Sequence, residues 1–159
     1  MSDFATTWEL VRSRFDDALK GVTTEQLNWR LHPGSLTLGE MSLHVAGVEV
    51  SFISQLKGEE LSGTMARVRA AATDGTVNDK PFPFATEEVT AEFVAQVLAE
   101  ARAMTEPVIR NPDPYRNVTI VSALGPVIDG TGAFARLAYH PGYHQGQAHT
   151  IKTAPGFPA

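Results

Sequence analysis

The stretch Leu137-Ala-Tyr-His-Pro-Gly-Tyr-His-Gln-Gly-Gln147 decides how this chain is read. It carries two histidines, His140 and His144, four positions apart within a run of apolar residues at helical spacing. Four positions advance an α-helix by about 400°, so the two imidazoles lie one above the other on one face and can grip one ion. A third histidine, His44, stands far upstream in Met41-Ser-Leu-His-Val-Ala-Gly-Val-Glu49, again within a helical pattern. Three neutral imidazoles from two helices make an open divalent-metal site, which leaves a coordination position for water or substrate. That requirement brings two distant helices face to face.

Working outward, the last helix is predicted to start near Thr131, behind Gly130, and to run to about Thr153. Its inward positions are Phe134, Leu137, His140, His144, Ala148 and Ile151, so both histidines occupy the apolar stripe. Pro141 lacks an amide and crowds the carbonyl of Leu137, a cost of about 3 kcal/mol inside a helix. A local break is therefore expected there, with both imidazoles still pointing into one cavity.

The helix bearing His44 is predicted from Leu38 to Lys57. Thr37 with Glu40 three residues later reads as a capping box, and Gly58 as the stop. Its stripe is Met41, His44/Val45, Val48, Phe52 and Leu56. A first helix from Asp3 to Lys20 carries Phe4, Trp8, Val11, Phe15 and Ala18/Leu19, with Gly21 suited to its end. Another, from Thr86 to Ile109, carries Val89, Phe93, Val97, Ala101, Met104 and Val108, and Asn111-Pro-Asp-Pro114 terminates it. Between Gly58 and Phe84 the pattern loosens into a lid or long crossover. Tyr115 to Asp129 is left open between a short strand and a turn-rich linker, since Val118-Thr-Ile-Val121 is rich in β-branched residues. The expected architecture is an all-α four-helix bundle with long crossover connections, filling one domain over residues 1–159.

An apolar share of 43 % beside 19 % charged residues is a globular composition. With no cysteine, the chain supplies no disulfide, thiolate nucleophile or sulfur ligand of its own. Its 13 basic and 18 acidic residues give a formal charge of −5, and no Lys/Arg cluster offers a phosphate-binding surface, so nucleic acid is not an expected partner. The first twenty residues carry charges of both signs where a leader would be apolar, which sets the expectation of a cytoplasmic protein without a membrane partner. Gly-x-Ser-x-Gly, P-loop and Gly-x-Gly-x-x-Gly motifs are absent.

Four segments follow one another in order: Thr24-Glu-Gln-Leu-Asn-Trp-Arg30, Pro33-Gly-Ser-Leu-Thr-Leu-Gly39, His44-Val-Ala-Gly-Val-Glu49 and His140-x-x-x-His144-Gln-Gly-Gln147. In these the chain resembles the DinB-like (DinB/YfiT) superfamily of metalloenzymes. The resemblance implies a four-helix bundle with one metal-ligating histidine on the second helix and a His-x-x-x-His pair on the last, here His44, His140 and His144. It also implies Zn²⁺ or Ni²⁺ as the cofactor and chemistry like that of thiol-dependent transferases or isomerases, whose metal binds the sulfur of a low-molecular-weight thiol. The pair Pro141-Gly142 departs from the ordinary helix formers that many relatives have between the last two ligands.

Each neighbouring residue also has a plainer reading. His32 reads as a loop residue near the pocket mouth. His149, about 140° around the helix from His144, falls outside the site. Glu40 reads as a cap before a hydrogen-bond acceptor for His44, and Glu49 as facing a neighbouring helix or solvent. Gln145 and Gln147 read first as packing residues, with the backbone freed by Pro141 or a bound substrate as alternative partners. Asn28, Trp29 and Arg30 are candidates for an entrance, Trp29 fitting the core better.

The expected function is a metal-dependent transferase acting on a small-molecule substrate. A metal-dependent hydrolase and a non-catalytic metal- or ligand-binding stress protein, a homodimer through an exposed helix face, are the alternatives. An ordinary imidazole pKa near 6.5 places loss of the metal between about pH 7 and pH 5.

Overall fold

The computed structural model describes residues 3–159. Six helices and one hairpin follow in the order α1 (Asp3–Leu19), α2 (Thr24–Asn28), α3 (Leu38–Lys57), α4 (Gly63–Ala70), α5 (Ala91–Arg110), β1 (Thr119–Val121), β2 (Val127–Asp129) and α6 (Gly130–Lys152). The four long helices α1, α3, α5 and α6 form an all-α bundle. α1 packs on α6, α3 on α5, and the α3–α6 and α1–α5 contacts close the ring. Among the described residues no helix is long and apolar enough to cross a membrane.

Local chemistry sets the ends of α3. Thr37 accepts the Glu40 amide while Glu40 Oε2 takes the Thr37 amide, and Gly58 ends the helix at φ 65°, a conformation that costs glycine little. α3 is the most enclosed helix, with Leu43, Val45, Ala46, Val50 and Ile53 all fully buried. Core therefore surrounds it on several sides. One apolar cluster joins its Leu43, Val45 and Val50 to Phe15, Val94 and Val97. A second joins its Val48, Phe52 and Ile53 to Trp8, Phe134 and Leu137.

The segment with the loose pattern contains α4 and a series of turns. Gly47 lets it approach: a Cβ built there would stand 2.5 Å from the Val68 carbonyl oxygen and 2.7 Å from the Ala72 amide nitrogen. Only a residue without a side chain allows α4 this close to α3.

Two expectations need correction. The helix expected from Thr86 begins at Ala91 instead, because Thr86–Glu88 forms a separate 3₁₀ turn and Thr90 caps α5 by accepting the Phe93 amide. The turn is held by Glu88, which accepts the Ala85 amide and pairs with Arg67.

The break expected at Pro141 does not occur, and α6 runs unbroken through it. Pro141 is buried, and a Cβ on Gly142 would lie 3.2 Å from Val11 Cγ1, so the bare glycine lets α1 close against this turn. Packing along the α1–α6 seam offsets the cost of about 3 kcal/mol that a proline carries inside a helix.

Of the two surroundings expected for Glu49, the structure selects the neighbouring helix: the residue is 1 % exposed and faces α1. Its Oε1 accepts Trp8 Nε1–H at 2.9 Å and Arg12 Nε–H at 3.0 Å. Arg12, itself 0 % exposed, also donates to the Leu98 carbonyl and pairs with Asp16. Burial raises the Glu49 carboxyl above its ordinary pKa, opposed by the Arg12 charge and the Trp8 hydrogen bond.

Tyr115 to Asp129 resolves as an antiparallel hairpin pairing Ile120 with Ile128. Its last residue, Asp129, caps α6 by accepting the Gly132 amide at 2.7 Å.

Candidate metal centre

His44 projects from α3, while His140 and His144 project from one face of α6 as their spacing requires. Their Nε2 atoms converge: His140 Nε2 lies 3.2 Å from His44 Nε2 and 3.0 Å from His144 Nε2. The structure thus brings together the three histidines singled out in the sequence. Among the described residues they form the one group of His, Asp and Glu side chains placed to share an ion.

The outer nitrogens set the tautomers of two rings. His44 Nδ1 lies 2.9 Å from the Ala71 carbonyl oxygen, which can only accept, so the proton sits on Nδ1 and Nε2 carries a lone pair. His144 Nδ1 lies 2.7 Å from Gln147 Oε1, and Gln147 Nε2 donates to the Tyr143 hydroxyl, which assigns His144 the same tautomer. Two unprotonated nitrogens therefore face His140 Nε2. A neutral His140 has one proton at most to offer there, which satisfies one of the two, and its own Nδ1 is buried without a partner.

Protonation does not resolve the crowding. Burial first, then the neighbouring imidazoles, lowers His140 to about 2. Burial and the His44 ring lower His144 to about 4, against the Gln147 hydrogen bond. Burial likewise lowers His44, against the Ala71 hydrogen bond. All three rings are neutral at pH 7, with lone pairs crowded together. A divalent cation meets that demand, and a tetrahedral zinc site with Zn–N of about 2.0–2.1 Å spaces its nitrogens roughly 3.3 Å apart, close to the separations found here.

The cluster opens into a cleft of about 720 Å³. Val48, Phe52 and Met41 line it from α3, the turns and hairpin contribute Val77 and Leu124, and Tyr139 and Tyr143 line it from α6. His32 lines the mouth, and its Nδ1 accepts the Gly34 amide. His149 is exposed and apart from the cleft, as its angle on the helix requires. Glu40 serves as the cap and pairs with Arg30, away from His44. Asn28 bonds the Val89 carbonyl, and Trp29 meets the Phe157 ring edge-on, so neither lines the entrance.

Sequence reasoning missed two residues. The sequence reads Gln147 first as a packing residue, yet it orients His144 from one turn away, and the (i, i+3) spacing on one face is the available signal. Ala71 acts through its backbone carbonyl, which no side-chain pattern reveals.

The sequence matches the family model described as DinB superfamily over residues 7–148. A crystal structure of a DinB-like protein from Bacillus cereus ATCC 10987 superposes with a TM-score of 0.66 at 18 % identity, covering 98 % of this chain and 94 % of that one. No curated protein matches the chain.

Proposed function

This chain belongs to the DinB superfamily, and from that premise we propose that His44, His140 and His144 hold a divalent ion, Zn²⁺ or Ni²⁺, in a thiol-dependent transferase. The observation that carries the metal reading is the convergence of three Nε2 atoms, two of them stripped of their proton by the Ala71 and Gln147 contacts. Such an ion supplies Lewis-acid chemistry, lowering the pKa of a thiol or water that takes its open position.

The residues of the chain do the rest. Ala71 and Gln147 hold the His44 and His144 rings in orientation, the kind of outer contact whose loss costs about 10–100-fold in metal affinity. Phe52, Val48 and Met41 give the inner cleft an apolar wall, which keeps water from competing with a substrate. The chain brings no cysteine, so the sulfur nucleophile enters with the small-molecule partner. Three side chains rather than four in the group favour an open position and catalysis over storage of the ion.

Protein purified without an affinity tag is analysed for metal. The loaded protein, metal-stripped protein and His144→Ala are then given a panel of low-molecular-weight thiols and electrophiles, and thiol consumption is followed. Transfer by the loaded protein alone is the expected result. Rates equal to the uncatalysed one in all three samples, with metal still bound to the wild type, overturn the transferase. Ester or amide hydrolysis by that same sample would then identify a hydrolase.

A further inference from the structure

The charge pattern of the cleft is uneven. In a chain of formal charge −5, no aspartate or glutamate among the described residues lines it, and of those that do, Arg136 alone has a side chain of fixed charge. The Arg136 side chain is exposed and makes no hydrogen bond or ion pair among the described residues, whereas Arg30, Arg67, Arg110 and Arg116 each hold a carboxylate. It stands four residues before His140, hence on the same face of α6. Its Nη1 lies 3.7 Å from the place a Cβ on Gly132 would occupy, so the side chain reaches back one turn toward the helix start. There Asp129 is engaged as the cap of α6. Three neutral imidazoles leave the two charges of a bound ion uncompensated, and Arg136 adds a third of the same sign. A concave site with apolar walls concentrates such a field on an entering ligand.

We infer that Arg136 is an anion-recognition residue, and that the thiol accepted by this cleft is a mercapto acid whose carboxylate pairs with the guanidinium while its sulfur reaches the three-histidine centre. The inference rests on the metal–thiol reading above and adds to it the chemical class of the thiol. The apolar rim of Val77, Leu124, Tyr139 and Tyr143 suits a hydrocarbon spacer between the two ends.

The spacing is testable. Gly132 and His140 are eight residues apart, about 12 Å along the axis, and the His140 ring leans back toward the helix start, which leaves roughly 6–10 Å between guanidinium and centre. Allowing a metal–sulfur bond of about 2.3 Å and a charge-assisted hydrogen bond of about 2.8 Å, a short spacer of about one to two methylenes fits, and longer acids are expected to overshoot.

The test is calorimetric binding to zinc-loaded protein at pH 7.5. 3-Mercaptopropionate, 4-mercaptobutyrate and 6-mercaptohexanoate are each compared with the mercapto-alcohol of equal length. The wild type is expected to favour the acid by about three- to tenfold at the matching length. Arg136→Ala should abolish that preference while binding the alcohols as the wild type does, Arg136→Lys should keep part of it, and Arg136→Glu should reverse it. Equal affinity for acid and alcohol in the wild type, or a preference that survives in Arg136→Ala, overturns this inference and leaves the thiol reading standing. Failure of both series to bind protein that holds zinc overturns the thiol reading and this inference with it.

Discussion

Replacing Gly47 by alanine tests whether the approach of α4 to α3 builds the metal centre. A Cβ on Gly47 would stand 2.5 Å from the Val68 oxygen, and backbone cannot rotate aside as a flexible side chain would. Restoring an ordinary contact of about 3.4 Å requires the end of α4 to retreat by about 0.9 Å. Ala71 lies in that same end, and its carbonyl sits 2.9 Å from His44 Nδ1 one turn from Gly47. The same retreat stretches this bond to about 3.8 Å, beyond hydrogen-bonding range.

The energetic consequence has three parts. Overpacking costs about 1–3 kcal/mol and the lost buried hydrogen bond about 1 kcal/mol, while alanine's better helix propensity returns about 1 kcal/mol. Gly47→Ala should therefore destabilise the metal-free protein by about 1–3 kcal/mol and weaken zinc binding about 10–100-fold, since the His44 ring loses its tether. The control is Gly146→Ala, where a Cβ on α6 meets nothing within 4 Å. It should stabilise by up to about 1 kcal/mol with zinc affinity unchanged. Urea unfolding in chelator measures stability, and competition with a chromophoric chelator measures affinity. A Gly47→Ala protein with the wild-type midpoint and wild-type zinc affinity would refute the reasoning.

Other consequences follow from particular contacts. Arg12→Ala strands the buried Glu49 carboxylate and should cost about 3–5 kcal/mol in urea unfolding; adding Glu49→Gln should recover part of it, and a double variant no more stable than the single would count against the buried pair. Gln147→Leu frees His144 Nδ1 near the protein surface and should weaken zinc binding about tenfold with the melting temperature of metal-free protein nearly unchanged; equal affinity would show that the hydrogen bond does not orient the ligand.

The lowered pKa values of His140, to about 2, and His144, to about 4, mean that below about pH 6.5 the unfolded chain binds protons that the folded site refuses. Stability of metal-free protein should be full above pH 6.5 and fall as the pH drops toward 4, by up to about 1.4 kcal/mol per pH unit for each histidine. Urea midpoints flat from pH 7 to 4.5 in the wild type, or an unchanged slope in His140→Ala, would contradict this. By the same burial, zinc should be retained below the pH 7 to 5 window of an ordinary imidazole, and release near pH 6.5 in a competition titration would argue against it.

Local chemistry is legible in a sequence because it needs no knowledge of neighbours. The Thr37–Glu40 capping box, the Gly58 stop and the bounds of α3 depend on residues a few positions apart, and the structure places them where the pattern does. The four-position spacing of His140 and His144 likewise survives folding, because helix geometry alone puts them on one face. Contacts between distant segments decided the rest. The chemistry of Pro141 alone predicts a break, but Gly142 against Val11 supplies packing that a single helix cannot anticipate. The sequence leaves Glu49 between a neighbouring helix and solvent and does not place Arg12; once the bundle encloses both, each becomes the other's partner. The His44 tautomer depends on the Ala71 carbonyl, delivered by an irregular segment that Gly47 admits. The chain by itself named the three histidines and the helices that carry them. Only tertiary packing turned their Nε2 lone pairs toward one point, because ring orientation is set by backbone and amide groups that become neighbours only when the bundle closes.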